Sequence, residues 1–513
     1  MPDLNATIPR DRREIERELE TTNQTRNVKP WRFGSRVDTI RGVRVERFMK
    51  EKLAEMDFGN LCEESFMVRP LVMVRPMAWI GIVVTAMAAI GDDWPQWGGP
   101  KRDGVWRETG IVDELPKELT FKWRVPVGQG YAGPCVVGDR VYVMDRQLPK
   151  GVENAADPFD KSVAVGNERV LCLDRETGKT LWEHKYDCPY TISYPYGPRV
   201  TPTVVEGKLY TVGAMGHFWC LDAESGKVIW SKKYVEDFGT EINTWGMSAH
   251  PLVDGNKLFL LVAGNAGVVA LDKETGKEIW RALKVVDPGY SPPVIVEAGG
   301  VKQLIIWTPE ALQSLNLEDG KTYWSQPFKL SNGLSISQPI FDPGRNLLFV
   351  TAFYQGPLML KLGATSPTAE LLWKGKSNSE VKTDGLHSIM STPIFQDGYL
   401  YGVCSYGELR CLKEETGERV WETYDATGKG RWWNAFLIQH EGRTVIANEQ
   451  GDLIFARLAP DGYHESSRAF LIEPTNHAQR RNVVWSHPAF AHRCVFARND
   501  KEIVCVDLAK KSP

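Results

Sequence analysis

The sequence predicts an all-β protein, an eight-bladed β-propeller built from four-stranded antiparallel blades. One stretch, LDKETGKEIW from Leu271 to Trp280, recurs in decaying copies along most of the chain. The copies are 44 to 50 residues apart and end at Trp182, Trp230, Trp280, Trp324, Trp373 and Trp421. A fixed period of this length is typical of stacked supersecondary units. The second observation is that each unit holds four short apolar runs, the number of strands in a propeller blade.

The unit between Thr201 and Trp230 shows these runs most clearly. They are rich in Val, Tyr, Ile and Trp and are bounded by Gly, Asp and Ser, which predicts antiparallel strands joined by hairpins. Gly226 falls at a turn position that requires a positive φ, which residues with a Cβ tolerate poorly. The closing tryptophan of each unit lies on the outermost strand, where we expect it to pack against the neighbouring blade.

The two ends of the repeat region predict how the ring closes. Residues 119–124 form an outer strand with its tryptophan, Trp123, but no inner strands precede it. Residues 484–507 supply three strands without a fourth. The N-terminal strand should therefore complete the last blade, which removes the exposed edges of an open array. The predicted blades begin near Gly133, Thr201, His250, Pro292, Gln338, Thr392, Ala435 and His487.

Some features depart from the repeat. Blade seven, residues 436–465, has no tryptophan, and Tyr463 stands near the expected position. Residues 146–168 interrupt blade one and are expected to form a surface loop, and a second insertion, residues 466–481, precedes blade eight. Equivalent strand positions in four blades carry small residues that we expect to be buried in the core: Cys172, Cys220, Cys411 and Cys505.

The N-terminal part divides into three segments before the propeller at residues 119–513. Residues 1–66 are rich in Arg and Glu, lack the repeat, and are interpreted as disordered or as a start-site artefact. Residues 67–88 show the pattern of a signal peptide, with Arg69 and Arg75 before an apolar core and Ala86 and Ala88 at a small-x-small site. A periplasmic or secreted location follows, with transient membrane contact only; the alternative is a membrane anchor through residues 77–91. Residues 89–118 form a Trp-, Pro- and Gly-rich lead-in that should pack over one face or edge of the propeller.

Composition limits the function classes. The formal net charge is −3, so no basic surface for nucleic acid is expected. The nine cysteines include no C-x-x-C, no haem-attachment motif and no adjacent pair, and neither G-x-S-x-G nor H-E-x-x-H occurs.

The x-L-D-x-x-T-G-K-x-x-W unit resembles the repeat of the pyrroloquinoline-quinone (PQQ) type propellers. That superfamily includes the quinoprotein alcohol dehydrogenases and the propeller lipoprotein of the outer-membrane β-barrel assembly machine. The resemblance covers residues 93–513 and implies the propeller fold. It does not decide the activity, because the same scaffold occurs with and without a cofactor.

The loops that precede the first strand of each blade are the candidate site. In a propeller such loops gather around the axis on one face, and here they are unusually aromatic and polar. The alternative is that these side chains only fill the channel. The predicted ligand-binding residues are Tyr131, Tyr196, Arg199, Trp245, His250, Tyr290, His387, Trp433, Asn434, Trp485 and His487.

The sequence is compatible with two functions. The first is a non-catalytic binding propeller of the cell envelope, whose partner is a small molecule or an envelope protein. The second is a quinoprotein dehydrogenase with PQQ and calcium, which requires an aromatic floor, oxygen ligands for the cation and a carboxylate base. The dehydrogenases' adjacent cysteines are absent, and Asp237, Glu241 and Asp384, the nearest carboxylates, lie on separate loops. These observations favour the binding role, with no catalytic and no metal-ligating residue assigned.

Overall fold

The computed structural model describes residues 92–511, and the predictions for residues 1–66 and 67–88 lie outside them. Eight four-stranded antiparallel sheets follow one another along this part of the chain, as predicted. The helical segments between residues 92 and 511 are a π-helical turn at Tyr234–Phe238 and a 3-10 turn at Ser331–Gly333. No helix in the described part of the chain has the length and apolarity needed to cross a membrane.

The first four blades follow the predicted plan of consecutive hairpins. Blade one comprises β2 (Cys135–Val137), β3 (Arg140–Gln147), β4 (Asn167–Asp174) and β5 (Thr180–Asp187). Blade two comprises β6 (Thr203–Val205), β7 (Lys208–Val212), β8 (His217–Asp222) and β9 (Val228–Lys233). Blade three comprises β10 (Leu252–Asp254), β11 (Lys257–Leu261), β12 (Val268–Asp272) and β13 (Glu278–Ala282). Blade four comprises β14 (Val294–Ala298), β15 (Val301–Trp307), β16 (Ala311–Leu315) and β17 (Thr322–Pro327).

The second half repeats the plan until blade eight. Blade five comprises β18 (Ile340–Asp342), β19 (Leu347–Ala352), β20 (Gly356–Leu362) and β21 (Ala369–Lys374). Blade six comprises β22 (Ile394–Gln396), β23 (Tyr399–Val403), β24 (Leu409–Lys413) and β25 (Arg419–Thr423). Blade seven comprises β26 (Ala435–His440), β27 (Arg443–Asn448), β28 (Asp452–Ala459) and β29 (Gly462–Phe470). A small hairpin of β30 (Asn476–Ala478) and β31 (Arg481–Val483) precedes β32 (Ala489–Ala491), β33 (Cys494–Arg498) and β34 (Glu502–Asp507) of blade eight.

Blade eight closes the ring with a strand from the beginning of the propeller. β1 (Thr120–Pro126) pairs antiparallel with β34, from Thr120 opposite Asp507 to Pro126 opposite Glu502. The sheet order β1-β34-β33-β32 therefore matches the other blades, and the predicted closure is confirmed.

A contact between neighbouring blades explains the repeated motif. In the motif turns, glycines at φ +68° to +72° face the tryptophan of the preceding blade: Gly178 faces Trp123, Gly226 faces Trp182, Gly276 faces Trp230, Gly320 faces Trp280 and Gly417 faces Trp373. The indole nitrogen also donates to a backbone carbonyl of the next blade, as from Trp230 Nε1 to Lys273 O at 3.1 Å. Where the tryptophan and the turn glycine are both present, neighbouring blades are joined by apolar contact and a hydrogen bond.

The four cysteines predicted in the core are buried there. Cys172, Cys220, Cys411 and Cys505 all have zero exposure and lie on the third strands of their blades. Each stands directly opposite the tryptophan of the outer strand, for example Cys220 opposite Trp230. A small residue at this position leaves room for the large neighbouring indole.

The structure changes the bounds of the predicted irregular segments and one residue assignment. Residues 148–166 form a mostly exposed loop, as predicted, but Arg146 and Glu168 at its predicted ends pair across β3 and β4 and are buried. Residues 466–470 belong to β29 rather than to an insertion. In blade seven Ser467, opposite Phe455, occupies the position at which the other blades have tryptophan. Tyr463 is not at that position, because it pairs with Leu458 on the other side of a β-bulge between Phe455 and Ala456.

The lead-in segment, residues 92–118, crosses the propeller on the face of the turns between first and second strands, here called the lower face. Trp94 bridges to Val136 of blade one, and the Trp106 backbone N–H donates to Gln439 O of blade seven. Between these anchors the chain enters the channel, where the Arg102 guanidinium donates to Pro251 O at 2.9 Å. Trp94 and Trp106 are each only 1% exposed, so the segment is an integral part of the core.

The turn contact predicts a difference between two glycine substitutions. A Cβ at Gly226 would lie 2.5 Å from the Trp182 ring, whereas a Cβ at Gly207, at nearly the same φ, meets nothing within 4 Å. Both Gly226→Ala and Gly207→Ala carry the strain of positive φ, about 1–2 kcal/mol. Gly226→Ala should cost about 1–3 kcal/mol more through overpacking. Denaturant unfolding of the two variants measures the difference, and equal losses would contradict the proposed role of the contact.

Ring closure predicts a local effect of Trp123→Ala. Removal of this buried indole should cost about 3–5 kcal/mol and loosen the pairing of β1 with β34. Hydrogen exchange should accelerate at Val504 and Val506. Trp324→Ala is the matched control, because the Trp324 indole donates within its own blade, to Gln303 Oε1 at 2.9 Å. Equal acceleration at these two amides in both variants would argue against closure by Trp123.

Candidate ligand-binding site

The loops that precede the first strands enclose a cavity on the face opposite the lead-in, here called the upper face. Its volume is about 190 Å³. The wall is mainly aromatic and aliphatic and contains no carboxylate; its residues are Trp97, Tyr131, Tyr194, Arg199, Trp245, Ser248, His250, Tyr290, Pro292, Leu334, Ile336, Ile389, Met390, Trp432, Phe436 and Trp485. A concave apolar site with a few polar groups is the usual form of a ligand pocket.

Trp97 of the lead-in segment forms the floor. Its ring stacks on His250 with centroids 4.5 Å apart and lies 4.6 Å from the His487 ring. The same tryptophan lines the lower cavity, a space of about 930 Å³ between the lead-in segment and the inner strands. Trp97 therefore separates the two cavities, and the upper cavity ends at its ring.

Aromatic side chains from several blades build the wall. Tyr194 lies 6.0 Å from Trp432 and 6.2 Å from Trp485 between ring centroids, and Trp245 meets Tyr290 edge-on at 5.8 Å. Tyr194 and Trp432 adopt φ values of 55° and 62°, in the left-handed region. Such backbone strain occurs often at functional sites, where surrounding structure holds it in place.

A buried carboxylate positions one wall residue from behind. Glu449 accepts hydrogen bonds from Trp485 Nε1 at 2.8 Å and from the Asn434 backbone N–H at 3.1 Å. Burial raises the pKa of Glu449, and the ion pair with Arg481 opposes that shift. The Glu449 carboxylate is therefore occupied by protein partners, and it orients the Trp485 indole from behind the cavity wall.

The wall carries polar atoms that no protein group satisfies within residues 92–511. They are Tyr131 Oη, both ring nitrogens of His250 and Trp432 Nε1, all buried. The Asn476 side chain approaches the Tyr131 hydroxyl without making a hydrogen bond. Buried polar atoms are normally paired, so unpaired atoms in a cavity wall indicate a missing partner, either water or a ligand.

The structure brings six of the eleven predicted site residues to the wall: Tyr131, Arg199, Trp245, His250, Tyr290 and Trp485. The other five lie elsewhere. Tyr196 packs edge-on against Tyr131, and His487 lines the lower cavity. His387, Trp433 and Asn434 are buried, and His387 bonds to Asp384 Oδ1 and Phe353 O, both at 3.2 Å.

The wall also contains Trp97, Tyr194 and Trp432, which were not among the eleven predicted ligand-binding residues, although Tyr194 and Trp432 lie in the aromatic loops that the sequence indicated. Trp432 and Trp433 are adjacent, and the sequence does not say which one faces the axis; in the structure it is Trp432, whose φ is positive. Tyr194 stood in the loop pattern beside Tyr196 and carried an equal signal. The entry of the lead-in segment into the channel, which supplies Trp97, has no local sequence signal.

The donor set does not fit PQQ with calcium. Calcium takes six to eight oxygen ligands, which in proteins include carboxylates, and the upper cavity wall contains no carboxylate. Across residues 92–511, no group of three or more His, Cys, Asp or Glu side chains is arranged to hold a metal ion. The wall also lacks a carboxylate base beside the aromatic floor.

The fold and the repeat together define a propeller of the PQQ-like class. A family model described as "Outer membrane protein assembly factor BamB" matches residues 166–423 and 308–513, which together make up more than half of the chain. The chain belongs to this family.

Individual relatives are distant. The protein called outer membrane protein assembly factor BamB in Salmonella typhimurium is 24% identical over 273 residues, covering 44% of this chain and 66% of the relative. The protein of the same name in Moranella endobia is 25% identical over 173 residues, covering 33% of this chain and 42% of the relative. Both matches span less than two thirds of the relative.

Two solved structures extend the comparison. Quinohemoprotein alcohol dehydrogenase ADHIIG from Pseudomonas putida has a TM-score of 0.52 at 13% identity, covering 82% of this chain and 81% of that protein. BamB from Moraxella catarrhalis has a TM-score of 0.36 at 14% identity, covering 77% of this chain and 99% of that protein. The dehydrogenase match shows a shared fold and nothing more.

The two histidines that contact Trp97, His250 and His487, lead us to predict that the stability of the protein depends on pH. Burial lowers the pKa of His487 to about 4, and it also lowers the pKa of His250. Between pH 6.5 and about 4 the unfolded chain binds the proton and the folded chain does not, so stability falls as pH falls. The His487 contribution is about 1.4 kcal/mol per pH unit within that window.

His487→Phe should therefore flatten the dependence of the unfolding free energy on pH in that window, while the ring contact with Trp97 is kept. The control is His477→Phe, which replaces an exposed imidazole. Denaturant titrations at pH 4.5, 5.5 and 6.5 measure the slopes. A wild-type slope in the His487→Phe variant would show that His487 is protonated in the folded state.

Proposed function

We propose that this protein is a non-catalytic propeller of the cell envelope, periplasmic or secreted, that binds a ligand or partner protein at the upper cavity. The observation that carries the proposal is the cavity wall: aromatic rings, unpaired hydrogen-bonding atoms and one arginine, without a carboxylate. Such a wall can hold a group by stacking and hydrogen bonding. It contains no carboxylate that could act as the base of a quinoprotein dehydrogenase.

Family membership supports a role beside other envelope proteins. The name of the Salmonella relative, outer membrane protein assembly factor, places that relative in the assembly of outer membrane proteins. We propose that the partner of this chain belongs to the same process. The signal-peptide pattern of residues 67–88 agrees with export to that compartment.

In-cell crosslinking tests the binding face. Met390 lines the upper cavity, is half-buried and makes no side-chain hydrogen bond among the described residues. Met390→p-benzoylphenylalanine should give a discrete adduct on irradiation in the native host, which mass spectrometry identifies as an envelope protein or a small molecule. Ile279→p-benzoylphenylalanine, on the outer strand of blade three and 42% exposed, is the control. Adducts of equal yield at both positions, or none at 390, would contradict the proposal.

A second measurement separates binding from catalysis. Purified protein incubated with PQQ and calcium should show no dye-linked oxidation of alcohols. The physical reason is the absence of carboxylate ligands and base from the wall. Alcohol oxidation that depends on both additions would replace the proposed function with the dehydrogenase.

A further inference from the structure

We infer that the upper cavity binds an aromatic carboxylate, a planar ring that carries a carboxylate group held by Arg199. This inference rests on the proposed function and specifies its ligand chemistry. The ligand is either a free aromatic acid or the carboxyl-terminal aromatic residue of a polypeptide. Both present the same ring and the same anion.

Arg199 is a cation in the wall without a carboxylate partner. Its guanidinium donates to the backbone carbonyls of Gly197, of Ser193 at 3.1 Å and of Tyr194 at 2.8 Å. Among residues 92–511 no acidic side chain forms an ion pair with it. A guanidinium has five N–H donors, so two of them, the Nε–H and one Nη1–H, have no acceptor in the described protein. These two N–H groups point in different directions, so each can donate separately to an anionic acceptor, and a hydrogen bond to an ionised acceptor is stronger than one between neutral groups.

Two neighbouring arginines show the contrast. Arg431, whose Cζ lies 4.8 Å from the Trp432 ring, pairs with Glu380 at 2.7 Å. Arg481, behind the wall, pairs with Glu449 at 2.5 Å. Each of these cations has its own carboxylate within the protein. Arg199 is therefore the arginine of the upper wall, and it has no carboxylate partner among residues 92–511.

The unpaired polar atoms of the wall also favour an acceptor-rich ligand. Trp432 Nε1–H can only donate, and burial raises the pKa of Tyr131, which keeps its hydroxyl protonated as a donor. Burial and the nearby Arg102 lower the pKa of His250, so its neutral ring offers one donor and one acceptor. Donors thus outnumber acceptors, as expected for a site that holds a carboxylate.

The rest of the wall fits a planar apolar body. The Arg199 guanidinium lies 5.3 Å from the centroid of Tyr131, and the Tyr131 ring lies 6.3 Å from Trp485. The anion would therefore sit beside aromatic faces, in a wall that also contains the Trp245 and Tyr290 pair. A ring stacked among these faces gains apolar contact as well as quadrupole attraction.

The lower cavity has a different character. Its wall contains charged side chains of both signs, among them Lys101, Arg102 and Arg345 beside Asp254, Asp342 and Glu414. The upper wall is mainly apolar and carries one arginine without a lysine or a carboxylate, so a ligand with an aromatic ring should prefer the upper cavity.

Calorimetric titration of the purified propeller with 3-phenylpropanoate and with 3-phenylpropanamide tests the inference. The carboxylate should bind at least tenfold more tightly than the amide, which has the same ring without the charge. Arg199→Gln should weaken carboxylate binding at least tenfold and leave the amide unchanged. Arg281→Gln, which removes an arginine from the outer surface of blade three, is the control and should bind as wild type.

A second variant is needed because Arg199 also donates to carbonyls of its own loop, so that Arg199→Gln could disturb the loop itself. Trp432→Phe is that variant. This substitution keeps a ring in the wall, removes one N–H donor, and should weaken the carboxylate three- to tenfold. Equal affinity for acid and amide, or wild-type binding by both variants, would overturn the inference. No binding of the acid would overturn it as well, while a crosslinked adduct at Met390 would still support the proposed function.

Titrations with two peptides distinguish a polypeptide terminus from a free aromatic acid as the ligand. An eight-residue peptide ending in phenylalanine with a free carboxyl group is compared with its amidated form. A free-acid preference equal to that of 3-phenylpropanoate supports a polypeptide terminus as ligand. Binding of the small acid without binding of either peptide supports a free aromatic acid.

Discussion

The seating of a tryptophan on the turn glycine of the next blade is the contact on which the ring depends. The glycine must adopt a positive φ to make the turn, and its missing Cβ leaves the space into which the indole fits. The Asp174 carboxylate holds such a turn by accepting from both the N–H and the hydroxyl of Thr177. One short motif therefore encodes a turn and the surface against which the previous blade packs. Because each blade contacts only its neighbours, the stability of the ring is close to a sum of such interfaces.

The exceptions follow from the same contact. β34 and β1 are not consecutive in the chain, so no turn joins them in blade eight. A tryptophan of blade seven would have no turn glycine to meet, and Ser467 stands there instead. Leu115 of the lead-in segment takes up this region, with its backbone N–H on Ser467 Oγ at 2.9 Å. In blade five the turn has no glycine at the matching position, and Trp324 of blade four bonds within its own blade.

The lead-in segment links the fold to the candidate site. By entering the channel it places Trp97 between His250 and His487 and divides the axial space in two. The upper part is apolar, aromatic and rich in unpaired donors, while the lower part is lined by charged side chains of both signs. One scaffold thus separates two chemically different spaces on the same axis. Rigid blades below, and loops above, suit a site that binds without a large conformational change.

The sequence by itself determined the blade number, the strand order and the closure, because turn and packing signals are local and recur at a fixed spacing. It also indicated the loops of the site, since equivalent positions in a propeller are related by rotation about one axis. Only the tertiary structure decided which aromatic residue of each loop faces that axis. Trp432 rather than Trp433 reaches the cavity, and the backbone at Trp432 has a positive φ, which the local sequence does not specify. The course of the lead-in segment and the unpaired state of Arg199 likewise depend on contacts between residues far apart in sequence, which no local pattern records.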